Sequence, residues 1–284
     1  MELNRRDSSN VSTSASKSQV VVSWYNEGIM AFLNVIIQTF NCEKTLLRAV
    51  NSVRKQTYKD YNLIIVDDLS TDKTREVIRG IKEADVILLD EKRWNGGTRN
   101  VAVENSPAAV YTLFLDADDE FIDEHFFQKL HDFVIKHDYP DMVRLPYVKH
   151  YDATNHERVI SARDFNERTV ADVAHSPRVA AWTKAVKYEL LCPFPENTLM
   201  EDVCQHLLQC DITETVAWFP EPVVRWHING NSTSHSESPK WKSSAWRFIA
   251  DLMDLELEKD YTRARRDGKV RRGGRALLNG KFEQ

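Results

Sequence analysis

Clustered aspartates after an apolar run are the residues of this chain best suited to chemistry. The apolar segment Tyr111 to Leu115 leads directly into Asp116, Asp118 and Asp119. A short apolar run with polar borders predicts a buried strand, and open α/β sheets bind their ligands at the carboxyl ends of strands. Carboxylate oxygens suit Mg²⁺ or Mn²⁺, which usually enter with the phosphates of a substrate. The run therefore predicts a metal-assisted site for a nucleotide diphosphate.

A purely structural role for these carboxylates has to be weighed beside the metal site. Acidic residues after a strand often cap the next helix, and Asp119 or Asp123 can serve a helix predicted over Glu124 to Lys136 in that way. The local pattern leaves both interpretations open.

Composition restricts the class of protein. The chain has 284 residues, is 42% hydrophobic and carries a net charge of -5, which suits one large α/β domain or two small ones. Its cysteines form no C-x-x-C pair and no regular framework, which argues against structural zinc and a secreted disulfide scaffold. They are Cys42, Cys192, Cys204 and Cys210. No apolar stretch approaches the length of a membrane span and no signal peptide is recognisable, so we expect a cytoplasmic protein.

The elements that must position the aspartates alternate along the first half of the chain. Strands alternating with helices predict parallel pairing with helices on both faces, a doubly wound α/β sheet. The predicted strands are Asn34 to Thr39, Tyr61 to Val66, Val86 to Leu89 and Tyr111 to Leu115. The predicted helices between them are Lys44 to Lys55, Asp72 to Lys82 and Thr98 to Glu104.

The second half is less regular. A strand is predicted over Met142 to Val148, helices over Trp182 to Leu191 and Met200 to Cys210, and short strands over Val216 to Phe219 and Val223 to Trp226, with a variable excursion over His150 to Asp172. Lys240 to Lys259 has a helical pattern, and the Arg- and Gly-rich segment after it predicts a flexible cationic tail.

These patterns divide the chain into four parts. Residues 1–29 are predicted to be a disordered or added extension, because the first 20 residues are rich in Ser, Asn and Thr. Residues 30–130 and 131–238 are predicted to be two halves of one domain, and residues 239–284 a C-terminal helix and basic tail.

Several segments, in order along the chain, resemble glycosyltransferase family 2, whose members have the GT-A fold and use nucleotide-activated sugars. The resemblance covers about residues 33 to 235 and leaves out both tails. The matching segments are Val35 to Asn41, Gln56 to Tyr58, Ile64 to Asp72, Asn95 to Asn100, Asp116 to Asp118, Glu201 to Asp202, and Trp226 through Ser232. Gln38 departs from the pattern, because relatives usually have proline there. The resemblance implies a GT-A type, Rossmann-like, doubly wound mixed sheet. Residues 30–130 would be its nucleotide-sugar-binding half, and residues 131–238 the acceptor-binding and catalytic half of the same domain.

The resemblance also implies a donor site. Asp67 and Asp68 would hold the base, commonly uracil, and Gly96, Gly97 and Arg99 would approach the diphosphate at a helix start. The turn after the first strand, with Thr39, Phe40 and Glu43, would face the nucleotide. Glu43 can alternatively interact with a helix N-terminus through its carboxylate.

Metal and catalytic roles follow from the same resemblance. Asp118 would bind Mn²⁺ or Mg²⁺ directly, and Asp116 would contact ribose or the ion. Asp202 would take the proton of the acceptor hydroxyl as base, while Glu201 orients the acceptor or a loop. Helix capping is the alternative for this acidic pair.

The sequence leaves open the roles of two histidines, a tryptophan and a lysine. His227 or its rival His235 would approach the metal or the diphosphate, although a lone histidine is more often an ordinary surface or core residue. Trp182 and Lys184 lie in a segment that relatives place near the acceptor, yet Trp182 suits the core slightly better.

The sequence therefore predicts an inverting, metal-dependent glycosyltransferase with a UDP-sugar donor and a hydroxyl acceptor, acting in glycan or cell-surface polysaccharide synthesis. The basic tail allows peripheral contact with an anionic membrane surface. It also allows nucleic acid with hydroxylated bases as the acceptor. Two further alternatives are a non-catalytic nucleotide-sugar-binding module and, more distantly, a nucleotidyltransferase, for which no triphosphate-binding basic loop is found.

Overall fold

The computed structural model describes residues 25, 28, 30–196 and 201–228 of the chain. The predictions for the first 20 residues, for His235, for the helix Lys240 to Lys259 and for the basic tail lie outside these residues. The peripheral membrane contact and the nucleic-acid alternative depend on that tail and stay predictions.

Eleven strands and six α-helices occur in the described part. The strands are β1 (Ala31–Thr39), β2 (Tyr61–Asp67), β3 (Asp85–Leu88), β4 (Ala109–Asp116), β5 (Glu120–Phe121), β6 (Met142–Arg144), β7 (Tyr147–Tyr151), β8 (His156–Ile160), β9 (Lys184–Lys187), β10 (Val216–Trp218) and β11 (Val224–Ile228). The helices are α1 (Leu46–Arg54), α2 (Thr74–Arg79), α3 (Trp94–Asn105), α4 (Phe126–Lys136), α5 (Val170–Ala174) and α6 (Glu201–Ile212).

The large sheet has β1 near its centre and the order β10-β6-β9-β4-β1-β2-β3. Strand β1 is apolar almost throughout because helices cover both of its faces. Val35 and Ile37 pack into the core cluster that contains Val50 of α1. Ile36 points to the other face, where it packs with Ala102 of α3. The predicted fold class, a mixed α/β sheet with helices on both faces, is confirmed.

Parallel pairing brings several strand ends to one edge of this sheet. Strand β1 pairs in parallel with β2 and β4, so that Thr39 lies opposite Asp67 and Gln38 lies opposite Asp116. The acidic residues that follow β2 and β4 therefore meet at a single edge, where ligands of such sheets bind.

The helix predicted over Trp182 to Leu191 is wrong. Short 3₁₀ turns, Ala181–Thr183 and Tyr188–Leu190, flank strand β9, which pairs antiparallel with both β4 and β6. All four residues of β9 are buried. A strand covered on both faces shows no period of two, so a short apolar run cannot be told from a helix by its pattern.

The single strand predicted over Met142 to Val148 is divided at Pro146 into β6 and β7, which belong to different sheets. Strand β7 joins a small sheet with the order β5-β11-β7-β8. The predicted excursion over His150 to Asp172 contains the end of β7, all of β8 and the start of α5.

One residue of the predicted N-terminal extension contacts the domain. The hydroxyl of Tyr25 lies 2.8 Å from that of Tyr58, and its ring packs 6.0 Å from the ring of Phe32. The position of the boundary at residue 29 stays a prediction.

Candidate active site

The loop after β4 gathers three carboxylates. Oxygens of Asp116, Asp118 and Asp119 lie within 4.8 Å of one another. Asp119 is fully buried; its Oδ1 accepts the backbone N–H of His227 at 2.9 Å, and its Oδ2 has no hydrogen-bond partner among the described residues. The capping alternative does not apply to Asp119, whereas Asp123 accepts the N–H of His125 where α4 begins.

Burial and mutual repulsion disfavour the ionised forms of these carboxylates. Burial raises the pKa of Asp116 to about 7; Arg99 opposes this shift, and Asp118 and Asp202 add to it. Burial likewise raises the pKa of Asp118, and that of Asp119 well above its usual range, with repulsion from Asp116 contributing. A buried oxygen without a donor and an excess of negative charge both fit a hard divalent cation. Asp119 was predicted as part of the acidic cluster or as a helix cap, and only Asp116 and Asp118 were singled out as metal ligands.

Arg99 joins this acidic loop to the acidic start of α6. Its guanidinium is 2% exposed and donates to Glu201 at 2.8 Å and to Asp202 at 3.0 Å, while its other amino group lies 3.5 Å from Asp116. Burial and Asp202 raise the pKa of Glu201, and Arg99 opposes this shift. The arginine predicted to bind a diphosphate is thus already paired with three carboxylates. Its contact with a donor stays a prediction.

The two glycines lie inside a helix that begins one turn earlier than predicted. Helix α3 begins at Trp94, so Gly96 and Gly97 belong to its first turn. A Cβ on Gly96 would lie 2.0 Å from the carbonyl oxygen of Pro195. This glycine therefore lets the segment before α6 pack directly on α3, and an approach of the pair to a diphosphate stays a prediction.

We expect Gly96→Ala to lower the free energy of unfolding by about 1–3 kcal/mol, because the added methyl group overlaps backbone that must move away. Urea unfolding measures the change. Gly80→Ala is the matched control, since its Cβ would meet only the carbonyl of Val77, at 3.2 Å, at the end of α2. Equal unfolding midpoints for Gly96→Ala and the unchanged protein would contradict the packing argument.

The predicted base-binding residues lie at the ends of β1 and β2. Asp67 is fully buried, where it accepts from Thr39 Oγ1 at 3.0 Å and from Arg75 Nε at 2.5 Å. Asp68 accepts the N–H of Arg93 at 2.7 Å and pairs with Lys92 at 2.9 Å. These bonds stabilise the turn after β2, and contact of either aspartate with a base stays a prediction.

Two further donor candidates flank this pair. Phe40 is 49% exposed, with the ammonium of Lys92 2.9 Å from the centre of its ring. Glu43 accepts the N–H of Lys73 at 2.9 Å, immediately before α2. This contact with a helix N-terminus is the alternative to nucleotide binding for its carboxylate. Their contacts with a nucleotide stay predictions.

The two acceptor candidates have different surroundings. Trp182 is 4% exposed and donates its Nε1 hydrogen to Asp116 Oδ2 at 3.1 Å, so it is both core and part of the acidic site. Lys184 is 2% exposed, and its ammonium donates to the carbonyl of Val179. Burial and Arg144 lower the pKa of Lys184 to about 7. A buried lysine on β9 does not face an open acceptor site, which argues against its predicted role.

His227 lies beside the acidic loop, and its ring is hydrogen-bonded to Asp152. Its Nδ1 is 2.8 Å from Asp152 Oδ1, and its Nε2 is 3.5 Å from Glu120 Oε1. Its backbone N–H donates to Asp119 of the loop, and its ring lies near enough to Asp118 to oppose the rise in that residue's pKa. Its predicted coordination of the donor's metal ion stays a prediction.

A mixed α/β sheet with an acidic loop at its ligand-binding edge fits the GT-A class of glycosyltransferases. The family model for glycosyl transferase family 2 matches residues 34–188, more than half of the chain. The protein therefore belongs to glycosyltransferase family 2, as the sequence motifs predicted.

Individual relatives agree with this assignment. The chain is 35% identical over 104 residues to WfaP of Escherichia coli, a UDP-Glc:alpha-D-GlcNAc-diphosphoundecaprenol beta-1,3-glucosyltransferase; the match covers 36% of this chain and 41% of that one. It is 27% identical over 221 residues to the O-antigen chain rhamnosyltransferase RfbN of Salmonella typhimurium, covering 73% and 68% of the two chains.

Solved structures share the fold. S. aureus TarS 1-349 in complex with UDP-GlcNAc superposes with a TM-score of 0.64 at 20% identity, covering 73% of this chain and 62% of that one. The mannosyltransferase PcManGT from Pyrobaculum calidifontis, in complex with GDP-Man and Mn2+, gives a TM-score of 0.54 at 18% identity, covering 72% and 59%. The chain thus spans less than two thirds of WfaP and of both structures. Among the described residues, the helices are too short or too polar to cross a bilayer.

Proposed function

We propose that this protein is an inverting, metal-dependent glycosyltransferase that transfers a sugar from a UDP-sugar to an acceptor hydroxyl during glycan or cell-surface polysaccharide synthesis. The contact that supports this most strongly is the buried guanidinium of Arg99. It touches Asp116 of the acidic loop and Asp202 at the start of α6. One side chain therefore joins the candidate metal ligand to the candidate base.

Family membership and the names of relatives support the choice of a UDP-sugar as donor. One relative is named for UDP-Glc, and TarS holds UDP-GlcNAc, whereas PcManGT holds GDP-Man. Asp67, opposite Thr39 at the end of β2, and the adjacent Asp68 would hold the base in such a donor site. WfaP is named for a GlcNAc-diphosphoundecaprenol acceptor and RfbN for the O-antigen chain, which supports a sugar hydroxyl as acceptor.

Asp116, Asp118 and Asp119 would hold the divalent ion, since their oxygens are close together and carry excess negative charge. When bound, such an ion neutralises charge that develops on a departing diphosphate. Trp182 keeps one oxygen of Asp116 in place through its Nε1 hydrogen bond.

Asp202 is the group suited to take the acceptor's proton. Its Oδ1 is held by Arg99, and its side chain is 24% exposed, so the carboxylate is both oriented and accessible. Proton transfer to Asp202 would make the acceptor oxygen a nucleophile for the anomeric carbon. A single displacement of this kind inverts the anomeric configuration and needs no covalent intermediate on the protein.

Glu201 acts differently from its neighbour. It is 4% exposed and bonded to Arg99, so it positions the guanidinium and through it both Asp202 and Asp116. The acidic pair therefore divides into a buried positioning residue and an exposed base.

A panel of nucleotide sugars with Mn²⁺ tests the proposal. We expect release of nucleoside diphosphate, fastest with a UDP-sugar, faster again when oligosaccharide acceptors are added, and absent after chelation with EDTA. The same protein with ADP-ribose in place of a donor sugar provides the control for nonspecific hydrolysis. Failure of every nucleotide sugar to react would refute the proposal, and equal rates in EDTA would refute its metal dependence.

A further inference from the structure

A row of ionisable side chains crosses the small sheet beside the acidic loop, with one residue from each of its four strands. His227 of β11 lies directly opposite His150 of β7, and His150 lies opposite Glu157 of β8. Glu120 of β5 completes the row next to His227. Asp152 follows His150 by two residues, at the end of β7, and reaches the same side of the sheet. The parallel register of β7 and β11 therefore builds this cluster.

Two imidazoles and a carboxylate converge at its centre. Asp152 Oδ1 lies 2.8 Å from His227 Nδ1 and 3.5 Å from His150 Nε2. Ligand atoms of these three residues all lie within 4.8 Å of one another. Tetrahedral zinc, with Zn–N and Zn–O distances of about 2.0 Å, separates its ligand atoms by roughly 3.3 Å. The observed separations lie on either side of that value.

The second nitrogen of each imidazole is already bound to a carboxylate. His150 Nδ1 lies 3.1 Å from Glu157 Oε1, and His227 Nε2 lies 3.5 Å from Glu120 Oε1. Arg225 holds both of these glutamates, with distances of 2.7 Å to Glu120 and 2.8 Å to Glu157. Histidines that bind metals usually donate their other ring hydrogen to a carboxylate in this way, which fixes the tautomer and leaves the first nitrogen's lone pair free.

Charge balance also favours a dication. The cluster contains three carboxylates and one guanidinium, so with neutral imidazoles two negative charges are unbalanced. The acidic loop offers only oxygen ligands, whereas this cluster offers two nitrogens and one oxygen. Imidazole-rich sites prefer zinc and similar transition metals over magnesium.

We propose that His150, Asp152 and His227 bind a zinc ion, in a site with its own ligands beside the acidic loop of Asp116, Asp118 and Asp119. The ion joins β7 to β11. Because the backbone N–H of His227 donates to Asp119, the zinc site also supports one residue of the acidic loop. His227 then serves this site and not the ion that accompanies the donor.

The proposal is tested by measuring zinc binding to the untagged full chain, after EDTA has removed bound metal ions and without nucleotide. We expect one equivalent of zinc to bind in competition with a fluorescent chelator, and cobalt to give visible absorption bands typical of mixed nitrogen and oxygen ligands. His150→Ala should weaken binding by more than about 100-fold, beyond the 10- to 100-fold expected for loss of an outer carboxylate in Glu157→Gln. Zinc should also raise the thermal midpoint of the unchanged protein but not that of His150→Ala.

His156→Ala is the matched control, because His156 is an exposed histidine on β8 outside the cluster. Asp152→Asn repeats the test if His150→Ala folds poorly. Asp118→Asn should bind zinc normally, which separates this site from the one needed for donor turnover. The proposal is overturned if the unchanged protein binds no zinc, if His150→Ala binds it as tightly, or if Asp118→Asn abolishes binding, since His227 would then serve the acidic loop.

Discussion

Asp118→Asn is expected to lower the release of nucleoside diphosphate from a UDP-sugar roughly a thousandfold. An amide is a poor ligand for Mn²⁺, and the acidic loop would lose one of its three negative charges. Loss of about 4 kcal/mol of charge stabilisation in the transition state corresponds to that factor. Steady-state release of nucleoside diphosphate at saturating Mn²⁺ measures the decrease in rate, and calorimetry should show a parallel loss of ion-linked UDP binding.

The same substitution should leave the folded state intact. Burial already raises the pKa of Asp118, so its ionised form is disfavoured where it lies, and a neutral amide relieves repulsion within the loop. We therefore expect an unfolding free energy equal to or above that of the unchanged protein at neutral pH.

Asp138→Asn is the matched control for this experiment. It makes the same chemical change at an exposed residue with a φ of 57°, a conformation that asparagine tolerates well. Normal turnover by Asp118→Asn would remove the acidic loop from the mechanism, whereas lost turnover together with unfolding would mean that Asp118 is structural.

The part of the fold that local patterns could predict is the part with parallel strands. Strands β1, β2 and β4 are apolar because both faces are covered, and a helix with its own period directly follows β1 and β2. Chain polarity then determines which ends carry ligands, so the meeting of Asp67 and Asp116 at one edge followed from order alone.

Contacts between distant segments could not be predicted from local sequence patterns. Arg99 pairs with carboxylates 102 and 103 residues away, so its sequence neighbours show only a cation at a helix start. Strand β9 enters the sheet between β4 and β6, and nothing in Lys184 to Lys187 distinguishes that position from a buried helix turn. The pairing of His150 with His227 depends on the register of two strands of which only one contains a recognised motif.

The acidic pair that opens α6 shows why residue type alone does not assign a role. Glu201 and Asp202 both bond Arg99, yet Glu201 is 4% exposed while the side chain of Asp202 is 24% exposed. Only the second can reach an acceptor without disturbing the core. The difference in exposure is therefore the physical basis for assigning the base to Asp202.

Asp202→Asn is accordingly expected to lower the rate of sugar transfer by about 10²- to 10⁴-fold, the usual contribution of a positioned general base. The amide oxygen can still accept from Arg99, and the acidic loop is unchanged, so UDP and Mn²⁺ should bind with unaltered affinity. Single-turnover transfer to an oligosaccharide acceptor measures the loss of base catalysis. Calorimetric titration with UDP and Mn²⁺ measures binding of the donor nucleotide and the ion separately.

Asp211→Asn, at the other end of α6, controls for the same chemical change within one helix. Raising the pH should not restore the Asp202→Asn rate, because an amide does not gain basicity in that range. Transfer at the normal rate would show that another group accepts the proton, and lost UDP binding would show that Asp202 holds the donor site together instead of acting on the acceptor.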